Sequence, residues 1–269
     1  MSFEEWMKQG FLSLDKEEYN EAIKSFSKAT KIEPMNPDAW FYLAESCKEK
    51  DKLGDAIEYF KKTIEMRPND ATAWLELGDA YKLRGNKNDE IDSYKSATRI
   101  DAASAIAWFA LGGAFGELGQ HDEARKCYEK VLTIDKDFLE AWYDLGVSYG
   151  MEGEHDKEID CYKKSLAIDP NFALAWVNLG VEYGRRNEHE KEILCYEAVL
   201  STNANDAAGW YNLGKAYMLM NQEAKALHCF VEARRLGISE AKAEVKSLQR
   251  KGIEPEKFET RPVSLKDLE

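Results

Sequence analysis

Cysteine and histidine recur in this chain at fixed intervals, and both could carry chemistry. Cys127, Cys161, Cys195 and Cys229 stand 34 residues apart, as do His121, His155 and His189. Thiolate and imidazole are ligands of zinc and agents of covalent and acid–base catalysis. The spacing argues against both roles. If each interval is one structural unit, equivalent atoms of stacked units lie roughly 10 Å apart, the distance between packed helices. That is too far for a disulfide or a shared metal ion. Six residues separate each His from its Cys, which does not bring the two onto one helical face. No cofactor and no metal is expected. Nor does the chain contain a glycine-rich phosphate loop, G-x-S-x-G, H-E-x-x-H or C-x-x-C, and its many carboxylates read as a solvated face. The expectation is a protein that is not an enzyme.

The interval itself is the stronger signal. Trp6, Trp40, Trp74, Trp108, Trp142, Trp176 and Trp210 share the 34-residue register and account for all 7 tryptophans. Three after Trp comes Leu, from Leu43 to Leu213. Four after comes Gly10, Ala44, Gly78, Gly112, Gly146, Gly180 or Gly214. Seven after comes Tyr81, Phe115, Tyr149, Tyr183 or Tyr217, and twenty after an aromatic returns each time, from Phe26 to Phe230. Steps of three and four place Trp, Leu and Tyr on one face of a helix. The small residue admits a second helix at close range. Eleven after Trp stand Gly85, Gly119, Gly153, Asn187 and Asn221, types that tolerate a left-handed backbone between helices. Pro34, Pro68 and Pro170 punctuate the end of the second helix.

Composition fits an elongated repeat protein. Net charge is −13, from 37 basic and 50 acidic residues. The Lys and Arg residues form no stripe, so neither nucleic acid nor an anionic membrane is an expected partner. No apolar run approaches the ~20 residues that span a bilayer. The opening Met-Ser-Phe-Glu-Glu-Trp is acidic and enters the first repeat at once, which is not the pattern of a signal peptide. A cytoplasmic location follows, in keeping with the cysteine usage.

This register resembles the tetratricopeptide repeat (TPR) family, whose signature is W-x2-L-G-x2-Y…A-x3-F…P over 34 residues. The resemblance implies an all-α, right-handed α–α superhelix of seven helix-turn-helix repeats over 3–240, namely 3–36, 37–70, 71–104, 105–138, 139–172, 173–206 and 207–240. A capping helix over 241–252 follows, with Ser239 as its cap and Ala241, Val245 and Leu248 as its apolar stripe, and then a tail over 253–269. Departures are local. The signature Ala is present as Ala22, Ala56, Ala124 and Ala226 but is replaced by Glu90, Glu158 and Glu192. In the first repeat the Leu and Tyr places hold Gln9 and Ser13, as a polar terminal repeat would.

The family implies a protein-interaction scaffold or adaptor. First helices line a concave groove at places two before Trp and one, two, five and eight after it, and a protein or peptide partner lies there. These places give Phe41, Glu45, Glu76, Asp79, Phe109, Gly113, Tyr143, Asp144, Val147, Gly150, Asn178, Val181, Gly184, Tyr211, Asn212 and Lys215 as the candidate groove. Repeats two and three contribute an acidic wall, Asp38, Glu45, Glu76 and Asp79 beside Lys48 and Lys82. Repeats four to six contribute a floor of Gly113, Gly116, Val147, Gly150, Val181 and Gly184. Helical glycine costs ~1 kcal/mol against Ala, so four of them suggest a ligand close to the backbone. The Lys, Asn and Arg set of carboxylate-clamp TPR domains is absent from every run of three repeats, although Asn178 and Asn212 occupy the Asn place. The alternative role is a structural subunit that self-assembles or docks through its ends or convex face. The tail, with Phe258, Val263 and Leu265 as anchors, reads as a tethered ligand or separate docking motif, and so as a possible partner for the groove of its own chain.

Overall fold

A computed structural model describes residues 1–257 and 260–269; Phe258, one of the tail anchors read from the sequence, lies outside them. Among the described residues there are fifteen α-helices, one 3-10 turn and no strand. Helices pack in consecutive pairs: α1 (Phe3–Leu14) with α2 (Tyr19–Ile32), α3 (Pro37–Glu49) with α4 (Leu53–Met66), α5 (Ala71–Arg84) with α6 (Lys87–Ile100), and α7 (Ala105–Glu117) with α8 (His121–Ile134). The same pairing joins α9 (Leu139–Met151) with α10 (His155–Ile168), α11 (Ala173–Arg185) with α12 (His189–Thr202), and α13 (Ala207–Leu219) with α14 (Glu223–Arg235), and α15 (Ala241–Arg250) packs on α14. The chain divides into two compact halves, Met1–Lys136 and Asp137–Glu269.

Three local devices build the pairs. Five of the seven first helices open on a side-chain cap, α9 and α11 being the exceptions: Asp70, Ser104 and Asp206, for example, accept from Ala73, Ala107 and Gly209 N–H at 3.0, 3.2 and 2.6 Å, satisfying donors that have no partner in the first turn. The turn between the helices passes through a left-handed residue. Gly85, Gly119, Gly153, Asn187 and Asn221 all have positive φ, as their types anticipate, and so do Glu17 and Asp51 at the same place. Within the pair, an added Cβ on the glycine four after Trp would lie 2.4–3.1 Å from the ring of Phe26, Tyr94, Tyr128, Tyr162, Tyr196 or Phe230. The small residue is where the second helix's aromatic meets first-helix backbone.

The tryptophans fasten one pair to the turn before it. The indole N–H of Trp40, Trp74, Trp108, Trp176 and Trp210 donates to the carbonyl six residues earlier, at 2.8–3.0 Å. Those carbonyls belong to Pro34, Pro68, Ala102, Pro170 and Ala204. The bond uses the carbonyl and not the pyrrolidine ring, which is why Ala serves in place of the signature Pro.

After α14 the chain differs in one detail from expectation. Ser239 does not cap α15: its hydroxyl bonds the Glu240 carboxylate at 3.0 Å, and the helix begins at Ala241, after Glu240, without a side-chain cap. Ala241, Val245 and Leu248 are buried as expected. The tail then doubles back over its own half. Glu256 N–H donates to the Ala224 carbonyl at 3.1 Å, and the 3-10 turn η1 (Leu265–Leu268) packs on α10 and α12. Leu268 is only 2% exposed, and Val263 and Leu265 are partly buried in the same apolar cluster. The tail thus lies on second helices, away from the first-helix face that carries the groove glycines. No helix among the described residues is long and apolar enough to cross a membrane.

Trp176→Ala removes a ring that is 1% exposed together with its bond to Pro170, and is expected to destabilise the chain by ~3–5 kcal/mol. Trp6, half-buried at the first pair, should cost less when truncated. Urea unfolding followed by circular dichroism measures both, and equal losses would show that the register is not what holds the pairs.

Candidate functional site

The groove places fall on the partly exposed face of the first helices, but many of their side chains are already engaged within the chain. One after Trp, the ring packs against the second-helix aromatic of its own pair. Centroid distances are 5.7 Å for Phe41–Phe60, 5.8 Å for Phe109–Tyr128, and 5.7 Å for both Tyr143–Tyr162 and Tyr211–Phe230. These aromatics are half-buried, offering an edge to the surface. Asn178 donates through Nδ2 to the hydroxyls of Tyr143 and Tyr162 at 3.1 and 3.3 Å, so its amide ties two helix pairs together. Lys215 lies 5.8 Å over the Tyr211 ring. Val147, Asp144 and Asn212 are half-buried beside them, and Val181 is 42% exposed.

The acidic wall of repeats two and three is a paired network. Lys48 bridges to Glu76, Asp79 accepts from the Tyr94 hydroxyl at 2.6 Å, and Asp38 pairs with Arg67 at 2.6 Å. Glu45 stands apart from these pairs. Burial and then the neighbouring Glu76 carboxylate push its pKa up to about 7, with Lys48 pulling the other way. The wall therefore presents less free negative charge than its composition suggests.

The glycine floor requires a correction. Gly113 does have open space above it, but a Cβ at Gly150 would lie 2.5 Å from the Glu158 carboxyl and one at Gly184 2.9 Å from that of Glu192. Each of these glycines makes room for a buried acid of its own repeat. Glu158 and Glu192 are the residues that replace the signature Ala, so the two departures from the family pattern are one feature. The carboxylates are answered locally: His155 and His189 approach Glu158 and Glu192 through Nδ1 at 3.1 and 2.8 Å, and the Tyr162 hydroxyl donates to Glu158 at 3.1 Å. In repeat four, where Ala124 keeps the family pattern, His121 Nδ1 is buried without a hydrogen bond. The histidine register is thus an H-x-x-E contact, legible at i, i+3.

A further charged cleft of about 600 Å³ opens beside this network, lined by His155, Asp156, Glu182, Arg185 and Arg186 among others. Donor atoms of His155, Glu158 and Glu182 lie within 4.8 Å of one another, which is the group that could hold a cation. Glu182 is, however, met by Arg185 at 3.0 Å and Arg186 at 3.6 Å. Those guanidinium groups already balance the charge that a metal ion would neutralise. The cysteines are buried thiols, with Cys47 and Cys127 raised to about 11 and about 12 by burial first, which makes them poor nucleophiles.

An open apolar surface of the first-helix face lies at the first two helix pairs, and of its lining residues only Asp38 and Tyr42 stand at groove places from repeat two onward. A cleft of about 660 Å³ is lined by Phe3, Met7, Phe11, Leu12 and Tyr42, with Glu4, Asp15 and Asp38 at its rim and one lysine, Lys8. Phe11 is 37% exposed and Leu12 51%. Phe11 and Tyr42 meet edge-on at 4.6 Å, and both approach Phe26. Met7 and Phe11 stand one and five after Trp6, and Tyr42 two after Trp40, so the groove rule applied to repeats one and two finds them. Gln9 and Ser13, read as marks of a polar terminal repeat, hid the signal.

Two substitutions check this account. Gly150→Ala is expected to destabilise by about 1–2 kcal/mol despite Ala's helix preference, because a close-packed site has no room for the methyl. Combining it with Glu158→Ala should recover much of that loss as a coupling energy in a double-mutant cycle, and purely additive losses would refute the contact. For Glu45, the folded chain holds its proton to higher pH than the unfolded chain, so its contribution falls as pH rises from about 4.5 through about 7. Glu45→Gln should remove that fall and stabilise the chain on the order of 2 kcal/mol at pH 8. Unfolding curves at pH 5 and pH 8 measure it, and an unchanged pH dependence would refute it.

Comparison with known proteins agrees with the helix pairs. Residues 110–237 match the family model described as the cilia and flagella-associated protein 70 middle TPR-like domain. Residues 13–49 match one described as TPR repeat, and residues 49–105 one described as tetratricopeptide repeat. No curated protein matches the chain. Among solved structures, MamA is 27% identical and superposes with a TM-score of 0.59 over 62% of this chain and 92% of its own. The C-terminal part of a TPR repeat-containing protein from Cytophaga hutchinsonii is 16% identical, with a TM-score of 0.77 over 89% of this chain and 99% of its own. YrrB, described as a TPR protein with an unusual peptide-binding site, is 20% identical, with a TM-score of 0.60 over 70% of this chain and 97% of its own. Register, paired helices and family matches together place this chain in the tetratricopeptide repeat family.

Proposed function

We propose that the protein is a non-catalytic interaction scaffold whose first-helix face captures an extended or helical segment of a partner protein. The observation that supports this most directly is the cleft of Phe3, Met7, Phe11, Leu12 and Tyr42 in the first two pairs. Large apolar side chains left open beside one another on a chain with net charge −13 are the mark of a contact surface. Aromatic and methionine side chains in a shallow cleft supply the anchor contacts of protein interfaces, and a polar rim excludes water around them. Glu4 and Asp15 against one lysine at that rim, with Asp38 already paired to Arg67, favour a segment with an apolar side chain beside basic ones. The peptide-binding description of YrrB belongs to that protein, and at 20% identity the likeness supports the fold alone. The reading for this chain rests on its own residues.

In the N-terminal half the half-buried rings of Phe41 and Phe109 add to this first-helix surface, and in the C-terminal half Tyr143 and Tyr211 line the first helices of their own repeats. These rings offer edges for contact, whereas the Lys48–Glu76 pair and the Tyr94–Asp79 bond fix the register of the helices beneath. Partner capture followed by titration calorimetry provides the test. A protein recovered from source lysate on the immobilised chain should bind Phe11→Ala about tenfold or more weakly, as loss of an anchor does, with the helical circular dichroism unchanged. Asp38→Lys should slow association and flatten its salt dependence. A partner that binds both variants as it binds the unaltered chain would place the interface elsewhere.

A further inference from the structure

The tail shows how a segment can seat on the opposite, second-helix face. Leu268 is buried in a cluster with Leu166, Trp176, Leu179, Tyr183, Cys195 and Ala198, where η1 packs between α10 and α12. Three repeats earlier the same six places hold Ile64, Trp74, Leu77, Tyr81, Ser93 and Ser96. All six line a cleft of about 410 Å³ between α4 and α6, floored by α5. Trp176 is 1% exposed, while Trp74 is only partly buried. The two sites share their floor, and the first is filled by a leucine.

Repeats two, five and seven close the equivalent place with their own side chains. Twenty-two after Trp, Lys62 lies 4.4 Å over the Trp40 ring and Lys164 lies 4.1 Å over the Trp142 ring. In repeat seven, His228 meets Trp210 edge-on at 5.6 Å. Repeat six has Ala198 there and repeat three Ser96. A short side chain at this place leaves the indole uncovered by its own repeat. In repeat six the tail supplies the cover; in repeat three the cleft stays open to solvent.

The rims differ in charge, and this selects the occupant. Around Trp74 stand Glu65, Asp89 and Asp92, with Lys61 drawn 5.6 Å over the Tyr81 ring. Their counterparts around Trp176 are Ala167, Lys191 and Leu194. The tail brings the carboxylates of Asp267, which Arg261 meets at 2.9 Å, and of Glu269 beside its leucine, which suits a rim containing a lysine and opposes one of three carboxylates. We infer that the Trp74 cleft is a second docking site, on the second-helix face, for a partner segment that inserts one leucine-like side chain flanked by Lys or Arg. This site is independent of the first-helix groove, since it shares no lining residue with the cleft of Phe11 and Tyr42.

The test uses the full chain and two synthetic nonapeptides labelled at the N-terminus. One has the sequence of residues 261–269. The other carries the changes Asp267→Lys and Glu269→Lys and an amidated C-terminus. Fluorescence polarisation should show the basic peptide binding more tightly than the tail sequence, with affinity falling as salt rises. Ser96→Lys, which restores the lysine that covers Trp40 and Trp142, should weaken the basic peptide about thirtyfold, the loss of one buried anchor. Asp89→Lys with Asp92→Lys should reduce both its affinity and its salt dependence, and Phe11→Ala should change neither. An undiminished affinity in a folded Ser96→Lys chain, equal binding of the two peptides, or no binding of the basic peptide at millimolar concentration would each overturn the proposal. Loss of binding in Phe11→Ala but not in Ser96→Lys would assign the peptide to the first-helix groove and overturn it equally.

Discussion

The backbone four residues after each tryptophan lies against the ring twenty residues after it, with no space for a methyl group in six of the seven repeats. Close packing of this kind fixes the two helices of a pair in one relative position, because an interior at crystal-like density cannot slide by fractions of an ångström without losing contacts. The indole then reaches back to the carbonyl of the preceding turn, and so joins one pair to the next. Caps and left-handed turn residues set where helices begin and end, but the ring-on-backbone contact sets how they lie. Everything outside that contact and the indole bond is released to vary, and the variation is where the repeats differ in chemistry.

The buried acids show how far that release extends. A carboxylate in a helix interface is costly unless it is hydrogen-bonded or paired. Glu158 gains its space from Gly150 and its partners from His155 and Tyr162; Glu192 gains the corresponding space from Gly184 and a partner in His189. Glu90 in repeat three reaches the same end differently, fully buried against Lys87 at 2.7 Å. A place that the family fills with alanine can therefore hold an acid, provided a second place changes with it. Asn178, bonded to two tyrosine hydroxyls, extends the polar interior of the C-terminal half in the same way.

The fold was legible in the sequence because its determinants recur at fixed distance along the chain: Trp, the small residue, the second aromatic and the left-handed turn residue each occupy one column. The candidate site was legible only in part. Phe41, Phe109, Tyr143 and Tyr211 do reach the first-helix surface, but half of each ring packs inward on an aromatic nineteen places later, a contact between helices that no single column reveals. Gly150 looked like floor because its neighbour in space, Glu158, belonged to another column and had been set aside as a departure. Phe11 was hidden by its repeat's weak signature, although the groove rule names its place. What the register cannot show is which columns meet across the helix interface, and function depends on those meetings.

The second-helix face illustrates the same point from the outside. Each repeat carries an indole on its second-helix side, and an indole that faces water gains from cover. A lysine stem can supply it, since its methylenes lie along apolar surface while the ammonium stays in water and meets the ring face. So can a histidine, or a leucine from a distant part of the chain. Cover by the repeat's own lysine is intramolecular and always present. Cover by a separate segment depends on that segment's affinity and charge, which makes it exchangeable in principle. The column twenty-two after Trp thus contributes to whether a repeat closes its own surface: Lys62 and Lys164 cover Trp40 and Trp142, whereas repeat seven uses His228 from eighteen after Trp. In this protein the column reads Lys62, Ser96, Lys130, Lys164, Ala198 and Glu232 from the second repeat to the seventh. Its two short side chains coincide with the tail's seat and with the cleft over Trp74. A repeat array can in this way place a binding site by shortening one side chain, without disturbing the contact that holds its helices together.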